Sequence, residues 1–97
     1  MDFVYEQERI YAADTDGKIT AEITFPERDG IADINHTFVD DSLRGQGVAG
    51  RLVRAAADQI LRDGNKISAS CPYASAWLDR HREDCTVSEQ SAAGKQV

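Results

Sequence analysis

Polar and apolar residues alternate most cleanly from Lys18 to Phe25. Ile19, Ala21, Ile23 and Phe25 fall on one side, and Lys18, Thr20, Glu22 and Thr24 on the other. A period of two marks a strand with one buried and one wet face, which antiparallel sheets permit. Upstream, Phe3-Val4-Tyr5 and Arg9-Ile10-Tyr11-Ala12 predict short strands. Asp14-Thr15-Asp16-Gly17 predicts a turn, because glycine tolerates positive φ and aspartate side chains cap local backbone. Pro26 to Gly30 predicts the next turn. Ile31 to Val39 predicts a further strand, with Ile34, His36 and Phe38 on one face.

The period then changes. After the turn Asp40-Asp41-Ser42-Leu43-Arg44-Gly45-Gln46-Gly47, residues Val48, Leu52, Val53, Ala56 and Ile60 form an apolar stripe at helical spacing. Arg51, Arg54, Asp58 and Arg62 occupy the other face, so Val48 to Arg62 reads as an amphipathic helix. Gly64 sits where a left-handed residue ends a helix. Lys66 to Ser70 predicts a short strand, parallel to Ile31–Val39 by a right-handed crossover. After Cys71-Pro72, a second helix from Tyr73 to Arg82 offers Ala74, Trp77, Leu78 and His81 as its inner stripe. Residues 1–85 are expected to form one domain, and 86–97 a loose tail of Ser, Ala, Gly, Gln and Lys.

Composition narrows the function classes. The net charge is −6, without a Lys/Arg cluster, which disfavours nucleic-acid binding through phosphate neutralisation. No apolar run approaches the ~20 residues that span a bilayer. Met1 to Arg9 is acidic without a signal-peptide core, so the chain is expected in the cytoplasm, and as a monomer. Cys71 and Cys85 are too few for a disulfide scaffold, and with two histidines they complete no zinc site.

The candidate chemistry lies at the glycine-rich turn. A strand, a glycine turn and an amphipathic helix present orphan N–H groups and the positive end of the helix dipole to a phosphate. Gly45 and Gly47 allow close backbone approach, and Arg44 adds a permanent positive charge. Gly45-Gln46-Gly47-Val48-Ala49-Gly50 also spells GxGxxG, the dinucleotide-binding fingerprint. That motif opens directly from a strand, and an acidic residue closes the next one. Here Asp40 to Arg44 intervene, and the next strand ends in Ser70-Cys71. A P-loop would need GK[ST], which is missing.

Arg44-Gly45-Gln46-Gly47-Val48-Ala49 fits the R/Q-x-x-G-x-G/A pattern of the GNAT acetyltransferase superfamily, and the chain from Ile19 to His81 resembles that superfamily. Ser70-Cys71-Pro72-Tyr73-Ala74 with Trp77-Leu78 and His81 resembles its compact single-domain branch. The resemblance implies a truncated α/β (α+β) fold: a mixed, mostly antiparallel sheet, two helices, and a parallel strand pair at a CoA cleft. It implies that acetyl-CoA lies in the gap between splayed strands. Pantetheine would run along Thr37, Phe38 and Val39, and pyrophosphate would rest on the amides of Arg44, Gly45, Gln46, Gly47, Val48, Ala49 and Gly50. N–H groups near Phe38 would polarise the thioester carbonyl. The helices that shape the acceptor site in longer members are replaced here by hairpins.

Three side chains are candidates for catalysis. Cys71 follows a strand near the expected thioester, where a helix N-terminus would activate its thiol; otherwise it is a small core residue. Tyr73 lies where larger relatives hold a tyrosine that protonates the departing thiolate. His36 would serve as a base if it faced the cleft, but a histidine between Ile34 and Phe38 is expected in the core. The expected activity is acetyl transfer from acetyl-CoA to an unspecified amine, directly or through Cys71. A CoA-binding module with little turnover, and a structural or partner-binding domain, remain open alternatives.

Overall fold

A computed structural model describes residues 2–81. Its strands are β1 (Val4–Glu6), β2 (Arg9–Ala13), β3 (Ile19–Thr24), β4 (Glu27–Arg28), β5 (Ile31–Ile34), β6 (His36–Val39) and β7 (Lys66–Ala69). Its helices are α1 (Val48–Arg62) and α2 (Pro72–Arg80). The strands form two sheets. One runs β1-β2-β3-β6, antiparallel throughout, and the other runs β4-β5-β7. The β5–β7 pair is parallel, with Ile31 opposite Lys66 and Ile34 opposite Ala69.

Each element follows from its residues. Asp14 Oδ1 accepts from the amides of Asp16 (2.9 Å) and Lys18 (3.0 Å), which fixes the turn between β2 and β3. Ile10, Ala12, Ala21, Ile23 and Phe25 turn inward against α1, whose Val48, Leu52, Val53, Ala56, Ala57 and Ile60 are all buried. A fully buried side chain such as Leu52 or Ile60 contributes about 1.5–3 kcal/mol by leaving water. The helix ends as its sequence requires. Gly64, at φ 82°, donates to Leu61 O, and Asn65 donates to Ile60 O.

The continuous strand expected over Ile31–Val39 is broken at Asn35. Both Asn35 and β6 pair with β3, the Asn35 amide donating to Thr24 O, whereas β5 pairs with β7. An irregularity of one residue exchanges the faces of every residue after it. Ile34 is therefore buried, while His36 and Phe38 face solvent. The expectation that His36 lies in the core is thus corrected. Pro26–Gly30 carries the short strand β4 as well as a turn, with Asp29 and Gly30 at positive φ. The second helix begins at Pro72 and buries Ala74, Trp77 and Leu78. Arg82, Cys85 and the tail 86–97 lie outside the described residues.

Candidate functional site

The break at Asn35 builds a fork. Ile34 O accepts the amides of both Ser70 (3.1 Å) and Cys71 (3.0 Å), and beyond this point β6 bends towards β3 while the chain after β7 enters α2. The arms part, and a cleft of about 470 Å³ opens between β6, the glycine turn, the start of α1 and Tyr73. Thr37, Val39, Leu43, Arg44, Gly45, Gly47, Val48, Ala49, Gly50 and Tyr73 line it.

On its cleft side β6 pairs with no other strand, and the Thr37 amide there faces the Cys71 thiol. Asp40 N donates to Thr20 O on β3, and in a strand the hydrogen-bonding direction alternates residue by residue. Phe38 therefore faces β3, and the N–H and C=O groups of Thr37 and Val39 face the fork. The Phe38 side chain points away from the cleft, to the outer face of the sheet it shares with Glu22. Of the expected β6 contacts, the side chains of Thr37 and Val39 line the cleft and that of Phe38 does not.

At the other end the backbone presents donors. Gly47 caps α1 at φ 73°, a left-handed value that suits glycine, and no side chain caps the helix. The amides of Val48, Ala49 and Gly50 find no acceptor among the described residues, and no acidic side chain lies in the first turn. These orphan donors and the helix dipole make the cleft floor electropositive. Arg44 lines the cleft, but its guanidinium is ion-paired with Asp41 at 2.8 Å and is largely exposed. Gln46 does not line the cleft. Its side-chain amide lies 3.5 Å from Ser42 O, and its carbonyl 3.4 Å from Arg51 Nη2.

Tyr73 hangs over this end, 40 % exposed. A Cβ at Gly50 would sit 3.8 Å from its hydroxyl and 3.0 Å from Trp77 Nε1, so α2 packs tightly against α1 at Gly50. Cys71 stands at the root of the fork, behind Thr37, with Sγ 3.6 Å from Thr37 Oγ1. Burial pushes its thiol up. The Ala74 amide, the Thr37 hydroxyl and the amides of Tyr73 and Thr37 outweigh this, leaving it below the ordinary value of 9.0. His36 stands apart from these groups, on the outer face, with its side chain 53 % exposed and Nε2 3.8 Å from Glu22 Oε1. His81 stacks on Trp77 at 4.0 Å, away from the cleft lining. The sequence reading missed Leu43, a lone apolar residue in a polar turn, which was the available signal.

This architecture has relatives. A model of the GCN5-related N-acetyl-transferase family matches residues 9–87. A GCN5-like protein from Staphylococcus aureus, solved by NMR, superposes with a TM-score of 0.69 at 31 % identity, over 84 % of this chain and 81 % of that one. The crystal structure of the Escherichia coli GNAT-family protein YhbS, in complex with CoA, shares the fold at TM-score 0.59 and 23 % identity, over 76 % of this chain and 48 % of its own. Human NATD1 is 35 % identical over 48 residues, covering 50 % of this chain and 42 % of that protein. The chain thus spans less than half the length of the NATD1 proteins it matches. Among the described residues, no helix is long and apolar enough to cross a membrane. The splayed strands, the glycine turn and the match over residues 9–87 place the chain in the GCN5-related N-acetyltransferase family.

Proposed function

We propose that this protein transfers the acetyl group of acetyl-CoA to a primary amine by direct attack. The observation that carries the reading is the joining, in one cleft, of a strand edge at Thr37 and Val39 that pairs with no other strand and the unpaired amides of residues 48–50. The strand edge suits the amides of a pantetheine arm, and the helix start suits a pyrophosphate. Arg44 exchanges Asp41 for a phosphate, an inexpensive exchange because an exposed ion pair is worth only about 0–1 kcal/mol. With the thioester at the fork, the Thr37 amide would exchange the Cys71 sulfur for the developing oxyanion.

In the reaction the neutral amine adds to the carbonyl carbon, forming a C–N bond. The C–S bond then breaks and the electron pair leaves on sulfur. Tyr73 donates its hydroxyl proton to the CoA thiolate and recovers one, through water, from the nitrogen that has just been acylated. His36 faces away from the cleft, so no proton transfer is assigned to it inside the cleft. Cys71 supports a second, two-step route, because its thiol is held below the ordinary range beside Thr37. In that route the thiolate takes the acetyl group, CoA leaves, and the amine then displaces the cysteine sulfur.

Titration of isotopically labelled protein with acetyl-CoA tests the reading. Amide shifts are expected from Thr37 to Leu52 and around Cys71. No shift at millimolar ligand, or shifts spread evenly over the surface, would refute it. Release of free CoA in the presence of alkylamines separates a transferase from a module that only binds CoA.

A further inference from the structure

The strands part at a bulge. Thr24, the last residue of β3, stands opposite His36 in the ladder, yet its carbonyl also accepts the Asn35 amide at 3.2 Å. Two residues opposed to one make a β-bulge, and the added residue is what turns Thr37 towards the cleft and Phe38 away from it. The bulged residue is tethered a second time. Thr24 Oγ1 donates to Asn35 Oδ1 at 2.6 Å, on the outer side of the sheet.

Neither side chain of this pair lines the cleft, to which β6 contributes Thr37 and Val39. Their influence passes along the main chain. Ile34, one residue before the bulge, is anchored to the other arm, its carbonyl accepting the Ser70 and Cys71 amides at 3.1 and 3.0 Å. Asn35 therefore links an arm fixed on β7 to an arm fixed on β3. Two residues further on, the Thr37 amide and hydroxyl meet the Cys71 sulfur, with Oγ1 at 3.6 Å. A bulge displaced by one place along β6 would exchange the directions of the Thr37 and Phe38 amides and take the Thr37 donor out of the fork.

We infer that Thr24 is a positioning residue for the transfer reaction: its hydroxyl, through Asn35, locks the bulge in place and so holds the Thr37 amide in the fork. Thr24 touches neither substrate nor Cys71, and it acts by fixing the register of β6. The consequence for turnover rests on the acetyl-transfer reading, whereas the consequence for Cys71 follows from the bulge alone.

Three variants of the full chain, each carrying Cys85→Ser, test this. Thr24→Val keeps the branched shape but removes the donor, Asn35→Ala removes the acceptor, and Thr24→Ser keeps the hydroxyl. The pH midpoint of Cys71 alkylation, read where circular dichroism shows each variant folded, reports the Thr37 donors without any acetyl-CoA. Thr24→Val and Asn35→Ala are each expected to raise it by about half a pH unit, roughly threefold in the thiolate equilibrium, because Thr37 then meets the sulfur in only part of the population. Thr24→Ser is expected to match the parent. The double variant Thr24→Val with Asn35→Ala is expected to shift no further than either single one, since both remove the same bond. In turnover with an alkylamine, kcat is expected to fall by a similar factor, because the Thr37 amide meets full charge only in the transition state. If Thr24→Val does not fold, Asn35→Ala, whose side chain is exposed, carries the same comparison. A midpoint that does not move, or shifts that add in the double variant, overturn the inference. A parent that acetylates no amine overturns the acetyl-transfer reading instead, and the alkylation midpoint still decides the role of Thr24.

Discussion

Replacing Gly50 by alanine sets two opposed effects against each other. Alanine is better than glycine by about 0.8–1.0 kcal/mol in a helix interior, and by less in the first turn, where Gly50 lies. Against this, the new Cβ would stand 3.0 Å from Trp77 Nε1 and 3.6 Å from Cδ1. A comfortable contact is nearer ~3.5 Å, so the indole must retreat by about half an ångström. It has little room to do so. Trp77 is 5 % exposed, and its ring is already stacked on His81 at 4.0 Å. Overpacking of this kind costs about 1–3 kcal/mol, so a net loss of about 1 kcal/mol is expected. In a domain of this size that lowers Tm by about 4–8 °C. Thermal melting followed by circular dichroism reads the change, and the emission of the chain's single tryptophan reports the displaced ring. A Tm at or above that of the parent would refute the argument, because α1 and α2 would then have slack at this contact.

Two further outcomes are expected. Gly47→Val and Gly64→Val both force a side chain onto a backbone at φ 73° and 82° with open space around it, so each should cost at least ~1–2 kcal/mol of stability. Only Gly47 lines the cleft, so Gly47→Val alone should weaken acetyl-CoA at least tenfold; equal affinities in two folded variants would remove the turn from the binding site. In a Cys85→Ser background, the rate of Cys71 alkylation should rise with pH to a midpoint below 9.0, because the surrounding donors favour the thiolate, and Thr37→Val should move that midpoint upward. A parent midpoint at or above 9.0 would show that burial outweighs the donors.

The parts of this molecule that were legible in its sequence are those governed by local periodicity. The stripe Val48-Leu52-Val53-Ala56-Ile60 is a property of one helix, and all five residues are buried. The Asp14 turn and the Gly64 stop depend on residues only a few positions apart. The strand through Asn35 misled because a period-two reading assumes unbroken register, and a single extra residue inverts it. His36 and Phe38 consequently moved to solvent. Asp33, Ser68 and Ser70 are polar residues in strands, unremarkable until a parallel ladder brings positions 35 and 37 apart in sequence into hydrogen-bond contact. Gly50 belonged to the glycine motif in sequence, yet its tightest constraint comes from Trp77 on the other helix.

The parallel pairing of β5 with β7 also sets the order in which the molecule matures. Hairpins such as β1–β2 and β2–β3 close short loops, whereas Ile34 meets Ala69 only after α1 has carried the chain back across the sheet. Long-range closure is the slow part of folding, since loop entropy is lost before the contacts compensate. The fork exists only once that pairing is complete, so the cleft is expected among the last features to form. A ligand seated there acts on the finished fold alone. At one hundred times its Kd it would add about 2.7 kcal/mol to global stability. Resistance to unfolding in a cell would then follow the supply of that ligand.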